Sequence, residues 1–229
     1  MNRRSLTWRT ILALLALLLP TLALAHGVAG KDASYLEQVQ GVAFVPFLYL
    51  GAKHMVTGYD HLLFLAGVIF FLYRLRDVAL YASLFALGHS LTLMGAVLLN
   101  FRANAHVVDA VIGLSVAYKA FENLGGFRVF GLAPDPRGAV LGFGLVHGLG
   151  LATKLQELSL SRTGLAANMV GFNVGVELGQ LVALTLMVLL FALWRSTSSF
   201  QRSAQAANVM LLTAGFLLAG YQMAGYFHT

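Results

Sequence analysis

Six predominantly apolar runs follow one another along this chain, at 42–73, 78–99, 106–124, 138–152, 168–194 and 204–227, with only short polar connections between them. A helix that crosses a bilayer needs about 20 such residues. Hydrocarbon offers the backbone no hydrogen-bond partner, so each run must satisfy its own N–H and C=O groups, which helices do. The expected fold class is therefore all-α: a polytopic transmembrane helix bundle of about six spans over 43–229, with the lipid bilayer as its first partner. Composition agrees, because 59% of residues are hydrophobic and 10% charged, against about 25% charged in a soluble domain. There is no cysteine, which excludes disulfides, thiolate metal sites and cysteine nucleophiles. A metal site would have to use imidazole, carboxylate, amide, thioether or backbone oxygen.

Residues 1–25 read as a secretory signal peptide: Arg3, Arg4 and Arg9 precede an apolar stretch over 11–24, and Ala23-Leu24-Ala25 is a small-residue cleavage site. The rival reading is an uncleaved first helix. Cleavage after Ala25 would leave His26 at the mature N-terminus, with an α-amine and an imidazole available to one metal ion, and 26–42 as a short periplasmic segment. That places the mature N-terminus outside the bacterial inner (plasma) membrane. Alternation then puts Arg74, Arg76, Arg128, Arg137, Arg195 and Arg202 on the cytoplasmic side, and Lys31, Lys53, Arg102, Lys154 and Arg162 outside. The positive-inside bias is slight, so orientation rests on the signal peptide. The net charge of +6 comes from single basic residues scattered between apolar runs. It marks no nucleic-acid surface.

The run at 42–73 is too long for one straight span and is interrupted by Pro46, Gly51 and Gly58. A short leading helix, a break near Thr57-Gly58 and a span from Tyr59 are expected. Within this run stand His54, Asp60 and His61. On an unbroken helix the two histidines would lie about 10 Å apart along the axis, too far for one ion. A break at Gly58 could fold them together; otherwise they belong to successive sites.

Ionisable groups inside spans are costly and mark candidate functional positions. His89 lies midway along the second span, followed by Ser90. His147 sits in the fourth span among Gly142, Gly144, Gly148 and Gly150. In the fifth, Asn173, Glu177 and Gln180 follow at i, i+4 and i+7, opposite a packing stripe of Gly171, Gly175 and Gly179. The third span carries Asp109, Ser115, Lys119 and Glu122; Lys119 and Glu122 can neutralise each other. The candidate metal ligands are thus His54, Asp60, His61, His89, His147 and Glu177, with Asn173, Gln180, Ser90 and Glu122 in support. Two imidazoles beside a carboxylate suit nickel, cobalt, zinc or copper.

These motifs carry a resemblance. His54-x5-Asp60-His61 with Leu62-Leu63-Phe64, His89-Ser90-Leu91-Thr92-Leu93, Gly144-Leu145-Val146-His147-Gly148 and Phe172-Asn173-Val174-Gly175-Val176-Glu177 are similar to the HupE/UreJ family of hydrogenase and urease accessory membrane proteins. The resemblance runs from about residue 44 to the C-terminus. It implies a small bacterial inner-membrane protein that moves nickel or a similar ion in support of a metalloenzyme maturation system. It also implies that His54, Asp60, His61, His147 and Glu177 form the functional set. Leu149, Gly150 and Leu151 stand where nickel-permease members carry a further histidine and glutamate. The resemblance therefore implies metal handling more directly than nickel itself.

Three functions fit these residues. Transport would pass a divalent ion along a polar seam. An intramembrane zinc hydrolase would use the same His/Asp cluster to activate water, with three protein ligands and one open position. A haem protein would use paired histidines such as His61 and His89.

Overall fold

The computed structural model describes residues 31–158 and 160–228. The expected signal peptide and His26 lie outside them. Every element among the described residues is a helix: α1 (Lys31–Gln38), α2 (Phe44–Thr57), α3 (Tyr59–Ile69), α4 (Leu75–Leu99), α5 (Ala105–Asn123), α6 (Gly126–Val129), α7 (Pro136–Gln156), α8 (Leu165–Arg195) and α9 (Ser198–His228). The protein is a helical membrane bundle. By length and hydropathy, α4, α7, α8 and α9 can each cross a bilayer. The other two expected passages fall on α5, which carries charges along its length, and on the broken pair α2–α3.

Local chemistry sets the helix ends. Asn104 caps α5 by accepting from the Val107 N–H at 3.1 Å. Asp135 caps α7 through the N–H groups of Arg137 and Gly138, with Pro136 in the first turn. Asn100 closes α4 in the left-handed conformation (φ 54°). The break in the first run is at Gly58. It is extended (φ −72°, ψ 95°), its N–H reaches the His54 carbonyl, and α3 restarts at Tyr59. The chain needs that break because two half-helices, unlike one long rod, can return His61 to the level of His54.

The helices pack as three close pairs, α2 with α8, α4 with α7 and α5 with α9, around the short helix α3. Glycine makes each pair close. A Cβ at Gly51 would strike the Phe172 carbonyl, and one at Gly175 the Leu48 carbonyl. Between α4 and α7, Cβ atoms at Gly88 and Gly144 would stand 2.5 Å from the carbonyls of Leu141 and Phe85. Small residues at such crossings let backbones meet where lipid supplies no hydrophobic drive for association.

The far end of α3 is held from a different helix. The Arg195 guanidinium, at the end of α8, donates to the carbonyls of Ile69 (2.5 Å), Phe70 (2.6 Å) and Leu72 (2.8 Å). Those groups have no partner within α3 itself. The same guanidinium stacks on Tyr73 and Phe191.

Candidate metal centre

His61, in the first turn of α3, is the hub of a buried imidazole cluster. Its ring centroid lies 5.1 Å from that of His54 on α2, 5.4 Å from His89 on α4 and 4.8 Å from His147 on α7. His61 is 2% exposed, and His89 and His147 are fully buried; His54 is half-buried at the edge. Among the described residues, His54, His61 and His89 each offer a ligand nitrogen, and these all lie within 4.8 Å of one another. Two nitrogens on one tetrahedral zinc-like ion stand about 3.3–3.4 Å apart. A cation would therefore draw the rings inward by no more than about an ångström.

Hydrogen bonding decides which nitrogens are available. The Asp60 carboxylate accepts from the His61 backbone N–H at 2.9 Å and lies 3.0 Å from His61 Nδ1. With its proton on Nδ1, His61 turns an unpartnered Nε2 lone pair into the cluster. A carboxylate behind a ligating imidazole is the usual outer support of a metal site. Asp60 also sits in the first turn of α3, where the N–H groups and dipole of the helix favour its negative charge. Neither nitrogen of His89 has a hydrogen-bond partner, and Nδ1 of His147 has none. Leaving a buried polar atom unpaired costs about 1–3 kcal/mol. Three buried rings, His61, His89 and His147, thus each keep at least one nitrogen without a hydrogen-bond partner, and those of His61 and His89 lie with His54 in the group that fits a bound cation.

Phe64, Phe85 and Phe143 wall the centre. Phe64, tilted, and Phe85, edge-on, pack against the His147 ring at 5.2 and 5.1 Å, Phe85 also lies against His61 and His89, and Phe143 meets Phe64.

Several expectations need correction. Glu177 does not join the cluster. It is exposed on α8 and lines a cleft of about 730 Å3 between α4 and α8, beside Ser83 and Gln180. The reason is geometric, since four residues advance a helix by about 40° beyond a full turn. With the glycine stripe of α8 turned to α2, Asn173 stays inside and Glu177 rotates outward. Asn173 donates to the Met169 carbonyl of its own helix (3.3 Å) and Gln180 to the Ala82 carbonyl (2.9 Å). Their amide nitrogens are thus spent on helix contacts while Asn173 Oδ1 and Gln180 Oε1 stay buried without a hydrogen-bond partner, so of the three oxygen donors read from spacing it is the Glu177 carboxylate that leaves the interior. Ser90, next to His89, is half-buried and makes no hydrogen bond through its hydroxyl. Glu122 is committed to Lys119 at 2.6 Å, as the i,i+3 spacing suggests.

Asp109, in the third span, is buried. It pairs with Lys154 at 2.9 Å and accepts from Gln222 at 3.2 Å; Gln222 in turn meets His106 at 3.0 Å. This network ties α5 to α7 and α9. It escapes sequence reading because its members are about 45 and 113 positions apart in the chain. The pairing of Asn123 with Asn208 (2.9 Å) and the Gly67 carbonyl (2.9 Å) was missed likewise, although a lone Asn208 in an apolar run was a usable signal. So was Ser115, which meets His147.

A helical bundle with imidazoles gathered inside its apolar core is a multi-pass membrane protein equipped to meet a metal ion. A family model described as HupE / UreJ protein matches residues 30–229, and the chain belongs to the HupE/UreJ family. Membership makes it a metal-related accessory membrane protein. No curated protein and no solved structure matches the chain.

Proposed function

We propose that this protein moves a divalent transition-metal ion, nickel, cobalt or one of similar preference, across the bacterial inner membrane by way of His54, His61, His89 and His147. The observation that carries the reading is the unpartnered Nε2 of His61, backed by Asp60 and facing two other helices that also bring lone-pair nitrogens. The metal is cargo. The imidazoles replace its water ligands within the apolar core, and Asp60 supplies compensating negative charge behind them. His54 at the half-buried rim is suited to receive the ion first. The mature N-terminus on the periplasmic side and service to a metalloenzyme maturation system belong to the same proposal.

A second reading has one observation in its favour. The ligand atoms form one compact group, as a catalytic zinc would require. Against hydrolysis, Asp60 is engaged by His61 and so is not free to act as a base.

Reconstituted vesicles separate the readings. Purified protein is loaded with Ni2+, Co2+ or Zn2+, its bound metal is counted, and vesicles are assayed for metal accumulation. Transport predicts binding together with flux above protein-free vesicles, both abolished in His61→Ala. Stoichiometric binding without flux would overturn it. Imidazole must be neutral to ligate, so acid should release the metal.

A further inference from the structure

The Ser115 hydroxyl, fully buried on α5, touches two groups at once. It lies 2.6 Å from the Ile112 carbonyl and 3.0 Å from His147 Nε2. A hydroxyl has one hydrogen and can give it to only one of them. Giving it to His147 would leave two oxygens 2.6 Å apart with no proton between them. It would also force the His147 proton onto Nδ1, a buried nitrogen that has no acceptor. Giving it to Ile112 satisfies the carbonyl and lets His147 Nε2–H donate to the serine oxygen. The lone pair is then on Nδ1.

We infer that Ser115 is a positioning residue that fixes His147 with its proton on Nε2, so that Nδ1 is the atom His147 presents to a divalent cation. His61 and His147 then enter the cluster by opposite nitrogens. Asp60 holds the proton of His61 on Nδ1, and Ser115 holds that of His147 on Nε2. The consequence is steric as well as electronic. Nδ1 stands next to the Cβ of its own residue, so a ligand bound there lies close to the α7 backbone. At that position Gly148 presses directly on the His89 carbonyl of α4. A third helix pair, α5 with α9, thereby acts on the centre without contributing a ligand. The cation part of this inference rests on the metal-handling reading above; the position of the proton does not.

The test uses the full chain labelled with 15N-histidine in bilayer discs. The His147 signals are assigned by their loss in His147→Asn, and Zn2+ serves as the probe. In the metal-free protein His147 should carry its proton on Nε2, and Zn2+ should shift the Nδ1 resonance. Ser115→Ala should mix the tautomers and weaken Zn2+ binding by about 10–100-fold, as loss of an outer support usually does. His147→Asn, whose amide overlies Nδ1, should bind Zn2+ more tightly than His147→Gln, whose amide reaches the place of Nε2. A proton on Nδ1 in the metal-free wild type overturns the inference. So does a Ser115→Ala variant with unchanged tautomer and affinity, or glutamine outperforming asparagine. If the wild type binds no Zn2+, the metal reading falls, and the metal-free spectrum still decides where the proton is.

Discussion

At the scale of single residues, the centre separates two carboxylates that the sequence treats alike. Asp60 touches His61 through both backbone and ring, whereas Glu177 faces outward from α8. Asp60→Asn keeps the shape and an acceptor oxygen but removes the charge that makes His61 a strong donor. Its affinity for Ni2+ or Zn2+ should fall by about 10–100-fold in a titration of purified protein. Glu177→Gln should leave that affinity within about twofold, because nothing places it near the imidazoles. A large loss with Glu177→Gln would return the carboxylate to the ion's path. Reading a sequence by helical spacing finds polar residues but not which way a helix is turned. For α8 the glycine stripe settles that, and its consequence for Glu177 appears only once Gly175 is seen against Leu48.

At the scale of elements, the decisive feature is the interruption at Gly58. It was legible because the first apolar run outlasts a bilayer and because His54 and His61 are spaced wrongly for one straight helix. Its backbone angles are open to other residues, so crowding, not φ, excludes a side chain. A Cβ there would stand 2.9 Å from the His54 carbonyl and 3.2 Å from both Asp60 Oδ1 and His61 Nδ1. Alanine also favours an unbroken helix by about 1 kcal/mol over glycine. Gly58→Ala should therefore push the Asp60–His61 contact apart and weaken metal binding by at least about tenfold, roughly 1.4 kcal/mol, with little loss of helix by circular dichroism. Wild-type affinity in this variant would show that the break is not needed. The cap on the other end of α3 was not legible. Arg195 follows an apolar run and reads as an ordinary interfacial cation; only the fold reveals the carbonyls of Ile69, Phe70 and Leu72 beside it.

At the scale of the molecule, the all-helical membrane bundle and the family were both legible, since apolar run length and four short motifs carry them. The pairing of helices was not. α2 lies against α8, and α5 against α9, far apart in the chain, and hydrophobic pattern alone does not choose neighbours in lipid. Cleavage after Ala25 and an even number of later passages would put both mature termini on the periplasmic side. Amino-terminal sequencing should begin at His26, and a reporter fused at Thr229 should be active only outside. A cytoplasmic signal from that reporter would reject the proposed topology.

The three glycine-tight pairs have a mechanical consequence. His89 and His147 ride on α4 and α7, which are locked together, so the distance between these two rings is close to a constant of the molecule. His54 rides on the α2–α8 pair, which meets the α4–α7 pair far more sparsely. Of the four imidazoles, His54 is the one that a small slide between rigid blocks can withdraw, with Gly58 as the slack in the linkage. An ion would be gripped from two sides in one setting of the blocks and from one side in the other. Because the chain contains no cysteine, spin labels can be placed at will. A pair reporting α8 against α7 should change distance when Zn2+ is added, while a pair reporting α4 against α7 should stay fixed; equal movement in both would mean that the blocks are not separate bodies.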